Sequence, residues 1–159
     1  MYGNSARSVL AEASLRAWGG GRFEAFSAGS RPVGRINLFA LAQLAAASIA
    51  TVGLRSKSWD EFAGRDAPSL DVVVTVCDSA AAEVCPAFLG APVYTHWGLC
   101  DPAAIEGGDE AKRAAFAKAH ALIRARLLVF LALPDEIWPN REALQQALEP
   151  GGGDAESAL

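Results

Sequence analysis

The chain has 159 residues, of which 52% are hydrophobic, enough for one domain with a proper core and too short for an evident second one. Its formal charge is −4 and its pI about 5.2. With the basic residues scattered rather than striped, that balance excludes a general affinity for nucleic acid or anionic membrane, so any anion site must be local.

The opening residues, MYGNSARS, carry the first chemical signal. Gly3 permits backbone geometry closed to other residues, and Asn4 and Ser5 can brace a turn, so successive N–H groups can converge on an anion where the next helix begins. Arg7 adds a guanidinium fork suited to tetrahedral oxyanions. The same residues also read as a plain N-cap followed by a solvated arginine. ARSVLAEASLRAW then has helical character, with Val9, Leu10, Ala13 and Ala17 near one face, and Gly19 to Gly21 stop it. RFEAFSAG reads as a short strand, SRPVG as a turn, and NLFALAQLAAASIA as a second apolar helix with Asn37 at its N-cap.

Ser58 and Glu61 have capping-box spacing, which predicts a short third helix. SLDVVVTVC is the clearest strand, a β-branched run of the kind buried on both faces of a parallel sheet. DSAAAEVCP gives a short helix or loop, PVYTHWG another strand, and DPAAIEGG a polar loop. Asp109 is expected to cap a long helix running to about Leu133, with Phe116, Ile123, Leu127 and Phe130 available to the core. PDEIWPNREALQQAL reads as a terminal helix and EPGGGDAESAL as a disordered tail. Helices alternating with strands predict an α/β fold with a parallel sheet covered on both faces. Such chains normally begin with a strand that delivers the first loop to the carboxyl edge of the sheet; here the loop comes first. No signal pattern and no stretch of about 18 uninterrupted apolar residues is present, so the chain reads as soluble and cytoplasmic, with no membrane partner.

YGNSARSVLAEA followed in order by FSAGSRP, GLRSKSWDEF, VVTVCDSAAAEVCP and HWGLCDPAAIEG resembles the arsenate reductases built on the low-molecular-weight protein tyrosine phosphatase fold. The resemblance covers roughly Tyr2 to Leu133. It implies a three-layer α/β/α domain over residues 1–133 whose first strand is missing, and leaves 134–159 as a C-terminal extension, partly helical and then disordered. It also implies that Tyr2, Gly3, Asn4, Ser5, Ala6, Arg7 and Ser8 form the oxyanion cradle, the Ser8 hydroxyl stabilising a cysteine thiolate. That cysteine would occupy position 1, where this sequence has Met1. A thioether has no proton to lose and is not regenerated by thiol exchange, so the first attack cannot occur at this residue. Loss of a buried strand of about five apolar residues would cost roughly 7–15 kcal/mol, as much as a typical domain's whole stability. The sequence is therefore expected to start downstream of the ancestral start.

Three cysteines, Cys77, Cys85 and Cys100, are an odd number without a secretion signal, which argues against a structural disulfide framework. Cys77 and Cys85 read either as inert packing thiols or as a reactive pair. The resemblance implies the latter: Cys77 attacks the arsenylated nucleophile and releases arsenite, and Cys85 resolves the disulfide, leaving a Cys77–Cys85 bond for thioredoxin or for glutaredoxin and glutathione. Closure depends on the intervening DSAAAEV segment looping or unwinding. Asp101-Pro102 reads as a turn or, by the resemblance, as the general acid on a flexible loop. Cys100 is outside the family pattern. His96 is expected to be packed and hydrogen-bonded, His120 to face outward, and Lys57 and Arg55 to be surface charges. The spacings support no metal site, and no cofactor is expected. The sequence thus points to arsenate reduction through a cysteine relay, with phosphate as an analogue. A non-catalytic oxyanion-binding relic and, less favoured, a tyrosine phosphatase are the alternatives.

Overall fold

The computed structural model describes residues 3–149. Met1, Tyr2 and the tail at 150–159, with the readings placed on them, lie outside the described residues. Helix α1 (Arg7–Trp18) buries Val9, Leu10 and Ala13, as its apolar periodicity requires, and with them Ser8, Glu12 and Ser14; Ala17 is exposed. It stops at Gly19, where a Cβ would stand 2.6 Å from the Leu15 carbonyl oxygen. Helix α2 (Leu38–Ala46) starts at Asn37, whose side chain accepts from the Phe39 amide at 2.9 Å. It ends earlier than its apolar run because Ser48 turns left-handed, at φ 59°. Ser58 caps a single 3₁₀ turn, Trp59–Phe62. Glu61 pairs with Arg55 instead of closing a capping box.

Strands β1 (Val72–Thr75) and β2 (Val93–His96) pair in parallel, with Val72 opposite Val93 and Thr75 opposite His96. Between them come the short helix α3 (Asp78–Ala82) and a loop. Helix α4 (Asp109–Leu131) follows, with Gly108 rather than Asp109 at the cap position and Phe116, Ile123, Leu127 and Phe130 buried as expected. After a 3₁₀ turn, helix α5 (Arg141–Leu148) packs against β2. Leu144 is wholly buried there, and Trp138 stands edge-on to Phe23 and Phe130. The core joins Leu10 and Ala13 of α1, Ala40 and Leu44 of α2, the apolar face of α4, and Val76 and Trp97 from the strand ends.

Two expectations are corrected in this body. His120 does not face outward: it is buried on α4, stacked on Trp18, 2.9 Å from Ser14 Oγ and 3.1 Å from Gln43 Nε2. Three helices meet at this point, and the two polar partners make burial of an imidazole tolerable. RFEAFSAG does not enter the sheet. Its residues alternate in burial, Ala25 and Ser27 in, Glu24 and Phe26 out, as an extended chain does. Yet its only strand-like pairing is the bridge of Gly29 to Ser58. A slot of about 870 Å³ separates it from β1, whose valines are accordingly half-buried rather than buried on both faces.

Candidate active site

The described part of the opening loop, Gly3 to Ala6, is a turn held from outside. The Gly3 carbonyl accepts from Val33 N at 3.1 Å and from Ser56 Oγ at 3.2 Å, and the Ser5 carbonyl accepts from Asn37 N at 2.9 Å. Asn4 takes the left-handed conformation, φ 45°, which its short amide side chain tolerates. That side chain is buried. Its Nδ2 donates to Ser8 Oγ at 2.9 Å and Ser27 Oγ at 3.0 Å, and its Oδ1 accepts from Lys57 N at 2.8 Å.

With the carbonyls drawn outward, no N–H from Gly3 to Val9 has a hydrogen-bond acceptor among the described residues. Ala6, at the cap position of α1, has no side chain to offer, and the first turn has no acidic residue. An uncapped helix start beside a cation has the donors and the charge to receive an anion. Ser8 accepts from Asn4 through its oxygen and so keeps its hydroxyl proton to donate.

Glu12, Ser27 and Lys57 were not legible as part of this site. Glu12 is almost wholly buried, which a carboxylate tolerates only with partners. Ser27 donates to it, Lys57 Nζ lies 3.4 Å away and Arg16 2.5 Å away. Lys57 is thus not a surface charge: its side chain is 5% exposed, stabilised by Glu12 and by the Arg55 carbonyl at 3.2 Å. Arg55 is exposed, as expected, and its bidentate pairing holds the Glu61 carboxyl below its usual range. The signal available in the sequence was Ser8 and Glu12, four apart on an otherwise apolar helix face.

Arg7 connects the cradle to the loop after β2. Its Nη1 donates to the Leu99 carbonyl at 2.6 Å and its Nη2 lies 3.4 Å from Asp101 Oδ2. Asp101 also accepts from Ala103 N at 3.1 Å, capping the turn Pro102–Ala104, as the turn reading of this residue expects. Cys100 beside it is exposed. Cys77, buried, follows the end of β1, the same edge of the parallel sheet as residues 97–101. His96 lies at that edge, 2.7 Å from Thr75 Oγ1 through Nδ1 and 3.0 Å from Asp78 Oδ1 through Nε2.

Cys85, half-buried, lines the slot beside β1 together with residues from Ser69 to Val76. Burial, and then Cys85, raise the Tyr94 phenol. All three cysteines are free thiols. Among the described residues no three His, Cys, Asp or Glu side chains converge as a metal-ligand set, and no helix is long and apolar enough to cross a membrane.

Known proteins resemble this chain in sequence and in fold. The arsenate reductase of Halalkalibacterium halodurans is 35% identical over 128 residues, covering 80% of this chain and 88% of that protein. That of Bacillus subtilis is 32% identical over 130 residues with the same coverage. Among solved structures, an arsenate reductase in the phosphate binding state superposes with a TM-score of 0.65 at 23% identity, over 82% of this chain and 92% of that one, a likeness of fold. A thioredoxin-dependent arsenate reductase of Corynebacterium glutamicum gives 0.57 at 26% identity, over 82% of this chain and 58% of that one. Residues 1–141, from the opening turn through both strands and α4, match the description "Low molecular weight phosphotyrosine protein phosphatase", and the chain belongs to that family.

Proposed function

We propose that the chain is an arsenate reductase of the thiol-relay type, in which the amides of residues 2–8 and the Arg7 guanidinium hold the oxyanion. Cys77 and Cys85 supply the electrons. The chief support is the uncapped start of α1, joined through Arg7 to the 99–101 loop at the edge where Cys77 follows β1. Arsenate gains two electrons and loses one oxygen as water. The two thiols give up two protons and two electrons and form one S–S bond, which thioredoxin, or glutaredoxin with glutathione, reduces. Asp101, whose carboxylate lies 3.4 Å from Arg7 Nη2, donates the proton to the departing oxygen. The domain carrying this chemistry is residues 1–133, with 134–159 as an extension.

Met1 occupies the position of the first nucleophile, so the chain as it stands is expected to bind the oxyanion with little or no turnover. The test is arsenate-dependent oxidation of NADPH coupled through thioredoxin and its reductase. Met1→Cys, produced behind an added initiator methionine, should gain turnover that Cys77→Ser abolishes. Brisk reduction by the unmodified chain would overturn the role given to position 1. A second reading, an oxyanion-binding relic, is favoured by Met1 itself. It predicts phosphate or arsenate binding lost in Arg7→Ala, with no turnover in either form.

A further inference from the structure

Val76 and Cys77, the two residues between β1 and α3, are both buried. Within that step the chain leaves the sheet, where Thr75 stands opposite His96, and enters a helix that opens at Asp78. Ala81 N donates to the Cys77 carbonyl at 3.1 Å, so the residue carrying the thiol is tied to the first turn of α3. One side chain bridges the whole step. His96 Nδ1 lies 2.7 Å from Thr75 Oγ1, on the strand side of Cys77, and His96 Nε2 lies 3.0 Å from Asp78 Oδ1, on its helix side. A carboxylate only accepts, so Nε2 carries a proton; in the neutral ring Nδ1 then accepts from the Thr75 hydroxyl, and both nitrogens are used. Gly98 lies against the pair: a Cβ there would stand 3.3 Å from His96 Nε2 and 3.6 Å from Asp78 Oδ1.

We infer that His96 is a positioning residue for Cys77: its imidazole clasps the chain on both sides of the thiol and keeps it buried, and letting go of Asp78 releases it. This deepens the relay reading and rests on it for the use made of Cys77. The two arms of the clasp are unequal. The Thr75 arm joins two residues already paired in the sheet. The Asp78 side chain is 95% exposed, where water competes for the carboxylate and a charged contact contributes little. Asp78 therefore opens first. Helix α3 occupies Asp78–Ala82, between Cys77 and Cys85. While Asp78 is held, the start of that helix stays docked on the strand end; once it is free, Cys77 is bared to a second thiol.

The test is the rate at which iodoacetamide alkylates Cys77 in the full chain at neutral pH, read by peptide mass spectrometry, with amide exchange of α4 recorded in parallel. Thr75→Val keeps the branched shape and removes the hydroxyl; it should speed alkylation roughly three- to tenfold, the effect of one lost hydrogen bond on a local opening equilibrium. Asp78→Ala removes the exposed arm and should speed it about two- to threefold. Thr75→Ser and Asp78→Asn, which restore a hydroxyl and an acceptor oxygen, should return the rate close to that of the unaltered chain. In a His96→Phe background, which has neither arm, Thr75→Val and Asp78→Ala should add nothing further, because both act through the imidazole. Unchanged alkylation in both single variants overturns the inference. So does an undiminished effect of either in the His96→Phe background, or a gain matched by faster exchange throughout α4, the mark of general loosening. The relay is tested by arsenate turnover and the clasp by alkylation, so either can fail without the other.

Discussion

Lys57→Met tests whether the buried ion pair beneath the cradle is structural. The Lys57 and Glu12 side chains are 5% and 1% exposed and stand 3.4 Å apart. Removing one member of a buried pair typically costs about 3–5 kcal/mol, because the remaining charge is left without compensation. Here Arg16, 40% exposed, still faces Glu12 from one helical turn away, which places the expected loss near the lower bound, about 3 kcal/mol. The Lys57 amide that donates to Asn4 is unchanged by the substitution, so phosphate affinity should fall less than stability. Adding Glu12→Gln removes the orphaned charge, and the double variant should recover at least about 1.5 kcal/mol of the summed single losses. The assay is urea unfolding at pH 7 followed by far-ultraviolet circular dichroism, with all four members of the cycle measured. A loss below about 0.5 kcal/mol in Lys57→Met, typical of a surface change, would refute the reasoning, as would strict additivity.

Burial, and then the charge of Arg124, hold the His120 imidazole below its usual value, so the unfolded chain takes up that proton first. The stability it contributes is complete above about pH 6.5 and falls as pH drops through the lower folded value; unfolding at pH 7.5 and 5.5 should show this loss, and His120→Gln should shrink it. Asp101→Asn keeps the acceptor for Ala103 N but frees Arg7 and removes a negative charge beside the cradle. Phosphate should then bind about threefold tighter, a small effect because Asp101 is partly exposed and screened, whereas turnover in the Met1→Cys form should drop roughly a hundredfold or more. Calorimetry and the coupled assay read these two opposite changes.

What the sequence revealed depended on how local the controlling interaction is. The Asn37 cap, the valine run of β1 and the apolar stripe of α4 are set by residues within a few positions of one another, and the structure has them where the periodicity put them. Lys57 and His120 were misread because their burial rests on partners 45 and 106 positions away. Nothing in RSKSW or KAHAL announces a carboxylate or a hydroxyl waiting elsewhere. RFEAFSAG has the alternation of a strand, and among the described residues no strand lies beside it to pair with.

The cradle and the thiol stand on separate supports. Every hydrogen bond of the Asn4 side chain goes to α1, to Ser27 or to Lys57, and none to β1 or β2, whereas Cys77 is placed by β1. Arg7 spans the two, reaching the Leu99 carbonyl and Asp101 with different nitrogens. A planar fork can do this and a single ammonium cannot. Arg7→Lys therefore keeps the charge at the start of α1 while losing the clasp on the 99–101 loop. Phosphate affinity should fall about tenfold, as expected for a charge-assisted bond worth roughly 1.5 kcal/mol, and amide exchange across residues 98–104 should accelerate together with it. Weaker phosphate binding with unchanged exchange in that loop would mean that Arg7 serves the anion alone, and that the cradle and the thiol edge are held in register by something other than this side chain.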